Sequence, residues 1–449
     1  MKHQTIACKM EIVLLVILPV FLWNGRAAFG QDTLRWTVVA RQVLKNTPAV
    51  EKARAEKQSA AAMEKLHIGA YLPDLSLAFS SFRNEQGPRE VFLGAQPFEQ
   101  SGEAYSYHSA GLNFSYDLFD WGNRHRKSQS LDDQYHSKQW ALVQAERDAL
   151  QEAFSTYCDL LGAKESLQLV NEEQTMLQRQ HTLVSRLAER GLQPSVDLRR
   201  VEVEQRDLQS EIYQQQGNLE GYRQTLASMM SGDIPKSIYF APVSIPEDSI
   251  AFEKEKVAAI IGSHPDIRAR MAALHSAQAE VRIIHWEQFP DLTLGATYQR
   301  GNTRFAEVYG SLPQNWNTVL SLQLSLPLFD HNNRRTEQER QRLQVQTVSA
   351  DLRNRRRQLR LQFQKLLDDY NVQIHNYHLQ QQNVADYRVI YQYEQQAYQA
   401  GSGEYRDYLA ALRSYLTTRQ TAVQTKYQLA KTHFQIELFL GRWDSPEEK

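Results

Sequence analysis

The sequence predicts a mixed, mainly α fold in which very long helices accompany four transmembrane β-strands per chain, all internally duplicated. Three observations predict it. Asn332 to Ala400 contains neither glycine nor proline and is dense in Arg, Gln, Leu and Glu, residues that tolerate or favour a helix. Its apolar positions Leu359, Phe363, Leu366 and Tyr370 step by helical spacing, and one helix of that length would run to about 100 Å. A second stretch, Gly122 to Gly191, repeats the register with Leu150, Phe154, Tyr157 and Leu161. Between the helical stretches the period changes from 3.6 to 2.

The duplication extends beyond the helices. Both long stretches are entered through one phrase, Leu118-Phe119-Asp120-Trp121-Gly122-Asn123-Arg124 and Leu328-Phe329-Asp330-His331-Asn332-Asn333-Arg334. Both leave through a glycine turn, Arg190-Gly191-Leu192-Gln193-Pro194-Ser195 and Ala400-Gly401-Ser402-Gly403. Upstream, Asn46-Thr47-Pro48 echoes Ser263-His264-Pro265, and Leu72-Pro73-Asp74-Leu75 echoes Phe289-Pro290-Asp291-Leu292. Ordered landmarks at a nearly constant offset are the signature of a repeated structural unit. The expected division is 1–30 as a cleaved leader, 31–231 as the first repeat, 232–249 as a connector at the helix waist, 250–441 as the second repeat and 442–449 as a polar tail.

In chain order, Lys2 and Lys9, the apolar run Ile12 to Trp23 and Ala28-Phe29-Gly30 read as a secretory signal. The run is too short to span a bilayer, which takes about 20 residues. Cys8 lies within this leader, leaving Cys158 as a mid-helix packing residue and no disulfide framework. Leu34 to Tyr71 reads as a helix interrupted at Thr47-Pro48, where Lys45-Asn46-Thr47 can cap a new start with proline in its first turn. After Pro73, Leu75, Leu77 and Phe79 alternate with Ser76, Ala78 and Ser80. A polar loop is expected over about 83–106. In the next strand Ala110, Leu112, Phe114, Tyr116 and Leu118 alternate with Gly111, Asn113, Ser115 and Asp117. The second half repeats this with Leu292, Leu294, Ala296 and Tyr298, a loop of about 300–315, and Leu320, Leu322, Leu324 and Leu326. After each long helix a shorter one returns, Val196 to Met230 and Tyr405 to Leu440.

Strands apolar on one side and small-polar on the other, with aromatics near their ends, match a membrane barrel with a wet interior. Four strands cannot close, and a bilayer accepts only closed strand structures. Two chains would supply eight strands and a filled interior, three chains twelve and a lumen. The small residues Gly111, Ser115, Gly295, Ser321 and Ser325 favour the lumen.

The near-neutral charge, 51 Lys and Arg against 52 Asp and Glu, argues for no nucleic-acid partner. The basic run Arg353 to Arg360 reads as a solvated helix face. No Walker loop, GxSxG elbow or HExxH motif is present, so no enzymatic chemistry and no cofactor are expected. His375 and His378 lie about one turn apart without a third ligand nearby, and no metal site is expected there.

The ordered and doubled motifs resemble the TolC family of outer-membrane channels over residues 32–441. The resemblance implies a homotrimer whose shared twelve-stranded β-barrel stands on a long-helix periplasmic α-barrel. It implies a passive exit duct in the outer membrane of a Gram-negative cell, in contact with outer-membrane lipid. Such a duct works with a periplasmic adaptor (membrane fusion) protein and an inner-membrane transporter. It exports small molecules such as drugs, toxic compounds or metal ions; the outlet of a type I protein secretion system is the alternative with the same fold. A soluble periplasmic coiled-coil scaffold is the remote alternative, which the period-2 strands oppose. The resemblance also makes Gly191, Leu192, Gly401 and Ser402 adaptor contacts at the periplasmic tip. It pairs Asp197 with Tyr398 as a gate link and puts Asp407 in the entrance ring. The same residues have plainer readings: a helix N-terminal acid for Asp197 and seam packing for Tyr398. Two further family gate positions fall on Ala410 and Gly403, so the entrance is expected to be less cation-selective.

Overall fold

The computed structural model describes residues 33–442 apart from 88, 94–95, 101–102, 192–193, 246–247, 251–253, 305–307, 309–315, 327 and 330. The expected leader and the polar tail from 443 lie outside the described residues. The chain begins with β1 (Thr33–Leu34), α1 (Trp36–Asn46) and α2 (Pro48–Ile68), then enters β2 (Asp74–Gln86). A short hairpin, β3 (Arg89–Leu93) and β4 (Gln96–Gln100), leads to β5 (Glu103–Phe119), the long helix α3 (Asn123–Glu189) and the return helix α4 (Ser195–Met230). After β6 (Tyr239–Phe240) come α5 (Lys254–Ser263), α6 (Pro265–Trp286), β7 (Asp291–Asn302), β8 (Trp316–Ser325), α7 (Asn333–Gln399) and α8 (Tyr405–Leu440). The two long helices have 67 residues each and the two return helices 36 each. The long helices of the two halves thus match in length, as do the return helices.

Each landmark has a local cause. The Asp120 carboxylate accepts from the backbone N–H of Gly122 (3.0 Å) and of Arg124 (2.7 Å), satisfying donors that the start of α3 leaves open. Trp121 and Gly122 reach the helix through left-handed backbone, as do His331 and Asn332 before α7. At Thr47-Pro48 the expected side-chain cap is absent. Thr47 makes no capping bond, and the Asn46 amide instead donates to the Met230 carbonyl at 2.5 Å. The proline still opens α2, where its missing N–H costs nothing.

The helices form a single strip. α3 is flanked on one side by α2 above and α4 below, and on the other by α6 above and α8 below; α7 then packs against α6 and α8. Cross-helix ion pairs fix the register of α8: Lys431 with Asp159 (2.5 Å), Lys426 with Glu165 (2.9 Å), Arg419 with Glu172 (3.0 Å) and Arg413 with Glu204. The main core lies at the waist, where Phe154 stacks on Phe434 with ring centroids 3.9 Å apart and Trp36 meets both edge-on. There β1 and β6 pair in parallel, and the Tyr157 hydroxyl donates to the Ala241 carbonyl at 2.7 Å. In the second half the Tyr370 hydroxyl donates to the Asp248 carbonyl at 2.8 Å. The connector thus packs on the helices at mid-height. Cys158 is fully buried there, and burial pushes its thiol up to about 12.

The sheet order is β2-β5-β7-β8, all antiparallel, with β2 and β8 as its open edges among the described residues. The rung Leu75–Phe114–Ala296–Leu320 sets the register, so that Leu75, Leu77, Phe114, Leu294, Leu322 and Leu324 share one face. That face is open: Leu77 and Leu320 are each 76% exposed. Two expectations are corrected. The polar loop over about 83–106 is largely strand, because β2 runs to Gln86, β5 starts at Glu103 and a hairpin joins them. Polar alternation concealed pairing that continues beyond the apolar band. Leu118 does not continue the apolar row, since a bulge between Asp117 and Phe119 places Phe119 opposite Leu292. In the second half β7 extends to Asn302, and most of the expected 300–315 loop lies outside the described residues. None of the described helices is long and apolar enough to cross a membrane.

His264 gives this core a pH dependence. Its Nδ1 accepts from the Asp266 N–H at 3.3 Å as the cap of α6, and its ring packs on Phe439. Burial, with Arg147 and Arg355 nearby, lowers its pKa from 6.5 to about 4. The unfolded chain therefore takes up the proton first, so stability falls as pH drops from 6.5 towards 4. The full shift amounts to about 3 kcal/mol. His264→Asn, which keeps a capping side chain, should flatten that slope in thermal melts followed by helical circular dichroism between pH 7 and 4.

Candidate functional site: the helix tip and the sheet

The end of the helical strip far from the sheet is built by two turns. Gly191 (φ 69°) closes α3 and Gly401 (φ 76°) closes α7, each in left-handed backbone that favours glycine. The Gly401 N–H donates to the Tyr398 carbonyl, and the Ser402 and Gly403 N–H groups both donate to Ala397. A side chain on Gly403 would sit 3.1 Å from the backbone of Ala397 and Tyr398. Gly191, Gly401 and Ser402 thus lie at the turns where adaptor contact is expected; Leu192 lies outside the described residues.

Behind the turns lies an aromatic cluster. The Tyr398 ring stacks on Tyr408 at 5.7 Å and tilts against Tyr405 at 5.5 Å, while Tyr391 stacks on Tyr415 at 5.6 Å. These rings pack with Val184, Leu198, Val201 and Leu409, so α3, α4, α7 and α8 all meet here. Asp197 is buried in the first turn of α4, and its Oδ1 accepts from Arg200 at 3.1 Å. Burial raises the Tyr405 pKa, with the Tyr398 hydroxyl and the Asp197 carboxylate adding to the shift. Asp197 and Tyr398 therefore both flank Tyr405, and the fold does bring these two predicted residues into one site. Asp407 stands apart: its half-exposed carboxylate pairs with neighbouring Arg406 at 3.4 Å. About fourteen turns along α3 from the sheet, Glu173 is pushed up to about 7 by burial and by Glu211, against the pull of Arg413.

Sequence reasoning missed Tyr391, Tyr405, Tyr408 and Tyr415. The available signal was the seven-residue spacing of Tyr391 to Tyr398 and of Tyr408 to Tyr415, a coiled-coil seam carried by aromatics on both sides of a turn. Among the described residues no group of side chains could hold a metal ion.

Residues 39–232 and 258–442 match the family model described as outer membrane efflux protein. The chain belongs to that family; it is an outer-membrane channel with a periplasmic extension, of the kind found in Gram-negative bacteria, and not an enzyme. Among curated relatives it is similar to the pyoverdine export outer membrane protein OpmQ of Pseudomonas aeruginosa, at 23% identity over 435 residues, 94% of this chain and 88% of that protein. It is also similar to the protein CyaE of Bordetella pertussis, 24% identical over 68% of this chain and 62% of that one. Its fold is that of CusC (TM-score 0.79, 18% identity, 90% of this chain and 91% of that chain) and of the Campylobacter jejuni CmeC outer membrane channel (TM-score 0.78, 17% identity, 92% and 87%).

The Tyr405 hydroxyl is buried without a hydrogen-bond partner among the described residues, whereas Tyr408 shares a bond with Tyr391. Removing an unsatisfied buried hydroxyl relieves a desolvation cost, while removing a satisfied one forfeits about 1 kcal/mol. Tyr405→Phe should therefore raise the melting temperature and Tyr408→Phe lower it, as read by differential scanning calorimetry of the purified protein.

Proposed function

We propose that the chain acts as one third of a passive exit duct, a homotrimer with a shared twelve-stranded barrel that carries small molecules outward. The observation that carries this is the coincidence of two kinds of open edge. On one side of the strip stand β2, α2 and α4, on the other β8 and α7. Both helical edges show apolar side chains to solvent, Met63, Leu66 and Val203 on one, Leu343, Leu361 and Val389 on the other. One lateral contact between copies would pair the strand edges in lipid and cover both helical edges at once. Three copies supply enough strands for a barrel with a lumen. The name of the Pseudomonas aeruginosa relative, a pyoverdine export protein, supports a small secreted solute over a polypeptide as cargo.

On this reading the duct takes its cargo from an inner-membrane pump through a periplasmic adaptor, which contacts Gly191, Leu192, Gly401 and Ser402 at the tip. Asp197 and Tyr398 hold the tip closed through the tyrosine cluster, and Asp407, open to solvent, faces the entrance.

Native mass spectrometry in mild detergent should show three chains per particle; a stable monomer would reject the duct. Leu322→Arg, at the centre of the apolar face opposite Leu294, should cost about 2–4 kcal/mol if that face meets lipid and reduce the outer-membrane trimer yield sharply. Asp197→Ala combined with Tyr398→Phe should raise single-channel conductance in planar bilayers. An unchanged conductance removes that pair from the gate.

A further inference from the structure

At the sheet end farthest from the helices the two faces exchange character. On the apolar side the rows turn polar at Ser81, Arg83, His108 and Arg300. On the opposite side, below this level, the residues are small: Ala78 stands opposite Gly111, and the Ser80 and Ser109 hydroxyls lie 2.7 Å apart. Above it that side becomes aromatic. Phe82 lies 5.6 Å from the Tyr107 ring and 6.4 Å from the Tyr105 ring, and the Asn84 amide donates to the Tyr105 hydroxyl at 3.3 Å. The Tyr107 ring rests on Gly301: a Cβ there would fall 2.1 Å from its hydroxyl oxygen, so glycine is what admits the ring. Phe82 nevertheless remains 49% exposed.

An interfacial girdle would put such rings on the apolar side, towards lipid. Strand alternation forbids that here, because Phe82, Tyr105 and Tyr107 share their side with Ser76, Asn113 and Thr297. In a closed barrel that side faces the lumen. The charged residues in the same register of the four strands are Asp74, Asp117, Asp291 and Glu103, all acidic, while Arg83 and Arg300 belong to the other register. Glu103 stands two residues from Tyr105, opposite Gln86.

We infer that Phe82, Tyr105 and Tyr107, with Glu103, form a binding site for planar aromatic cations at the outer mouth of the lumen. This rests on the duct reading above. Exposed ring faces stack on planar rings and attract positive charge, and the carboxylate favours cations over anions. Three copies would surround the exit with the same group, a last station where such a solute pauses before release.

The test uses the assembled channel in planar bilayers, with blockers added on the side opposite the helices. Ethidium, a planar aromatic cation, should block at about tenfold lower concentration than tetrabutylammonium, the scale that stacking and cation–π contacts together supply. Phe82→Leu with Tyr105→Leu keeps apolar bulk and should abolish that preference while leaving potassium chloride conductance in place. Glu103→Gln should weaken ethidium block several-fold and leave block by anilinonaphthalene sulfonate, an aromatic anion, unchanged. Gly301→Ala, which displaces the Tyr107 ring without removing it, should weaken ethidium block as well. Equal block by the two cations, or block unaltered in the leucine variant, would overturn the site and leave the duct standing. Absence of any conductance from wild-type protein would overturn both.

Discussion

In hydrocarbon a backbone N–H or C=O has no water to turn to, and each one left unpaired costs several kcal/mol. The four-stranded sheet of this chain satisfies that demand in its middle and violates it at both rims, since among the described residues β2 and β8 each pair on one side only. Everything outside the sheet is arranged around that deficit. The helix that leads into β2 and the helix that leaves β8 stand at opposite edges of the helical strip, so whatever completes the sheet also completes the helical wall. A domain able to close on itself would not need exposed leucines along two separate helix edges.

The helical part obeys a different physics. Helices of 67 residues have no compact core to wrap around, and their apolar stripes are thin. Their register is set instead by side chains that mesh across the strip. The polar ladder of Lys431, Lys426, Arg419 and Arg413 with acids on α3 and α4 is worth little per rung, because partly exposed ion pairs contribute at most about 1 kcal/mol each. Repeated along one helix, the rungs nonetheless select one register over those displaced by a turn. The waist supplies the rigid reference, through stacked Phe154 and Phe434 and the capped carbonyls under Tyr157 and Tyr370. The tip is the other extreme, where tyrosines carrying one unsatisfied hydroxyl meet two glycine turns.

Much of this was legible in the residues themselves. Helix existence and extent followed from absent glycine and proline and from the four-three-four apolar steps, and the return helix from Tyr405 to Leu440 matches residue for residue. The strand faces followed from alternation, as with Leu320, Leu322 and Leu324 against Ser321 and Gln323. Where alternation lost its apolar partner the reading failed, and β2 and β5 continue through Asn84, Tyr105 and Glu103 as polar strand. The bulge before Phe119 was equally silent, since one extra residue leaves no compositional trace. At the tip, Asp197 and Tyr398 were placed by resemblance, whereas Tyr405, which both of them flank, was not.

The sequence alone determined the repeated element order, the period of each segment and the residues available to each face. These depend on neighbours a few positions apart, and the backbone enforces them locally. Tertiary structure alone decided which helices lie side by side, that the open strand edges and open helix edges coincide, and that the Tyr107 ring covers Gly301. Those facts depend on contacts between residues far apart in the chain, such as Tyr107 and Gly301 or Lys431 and Asp159. No local periodicity encodes such pairings, because each is settled only when two elements meet.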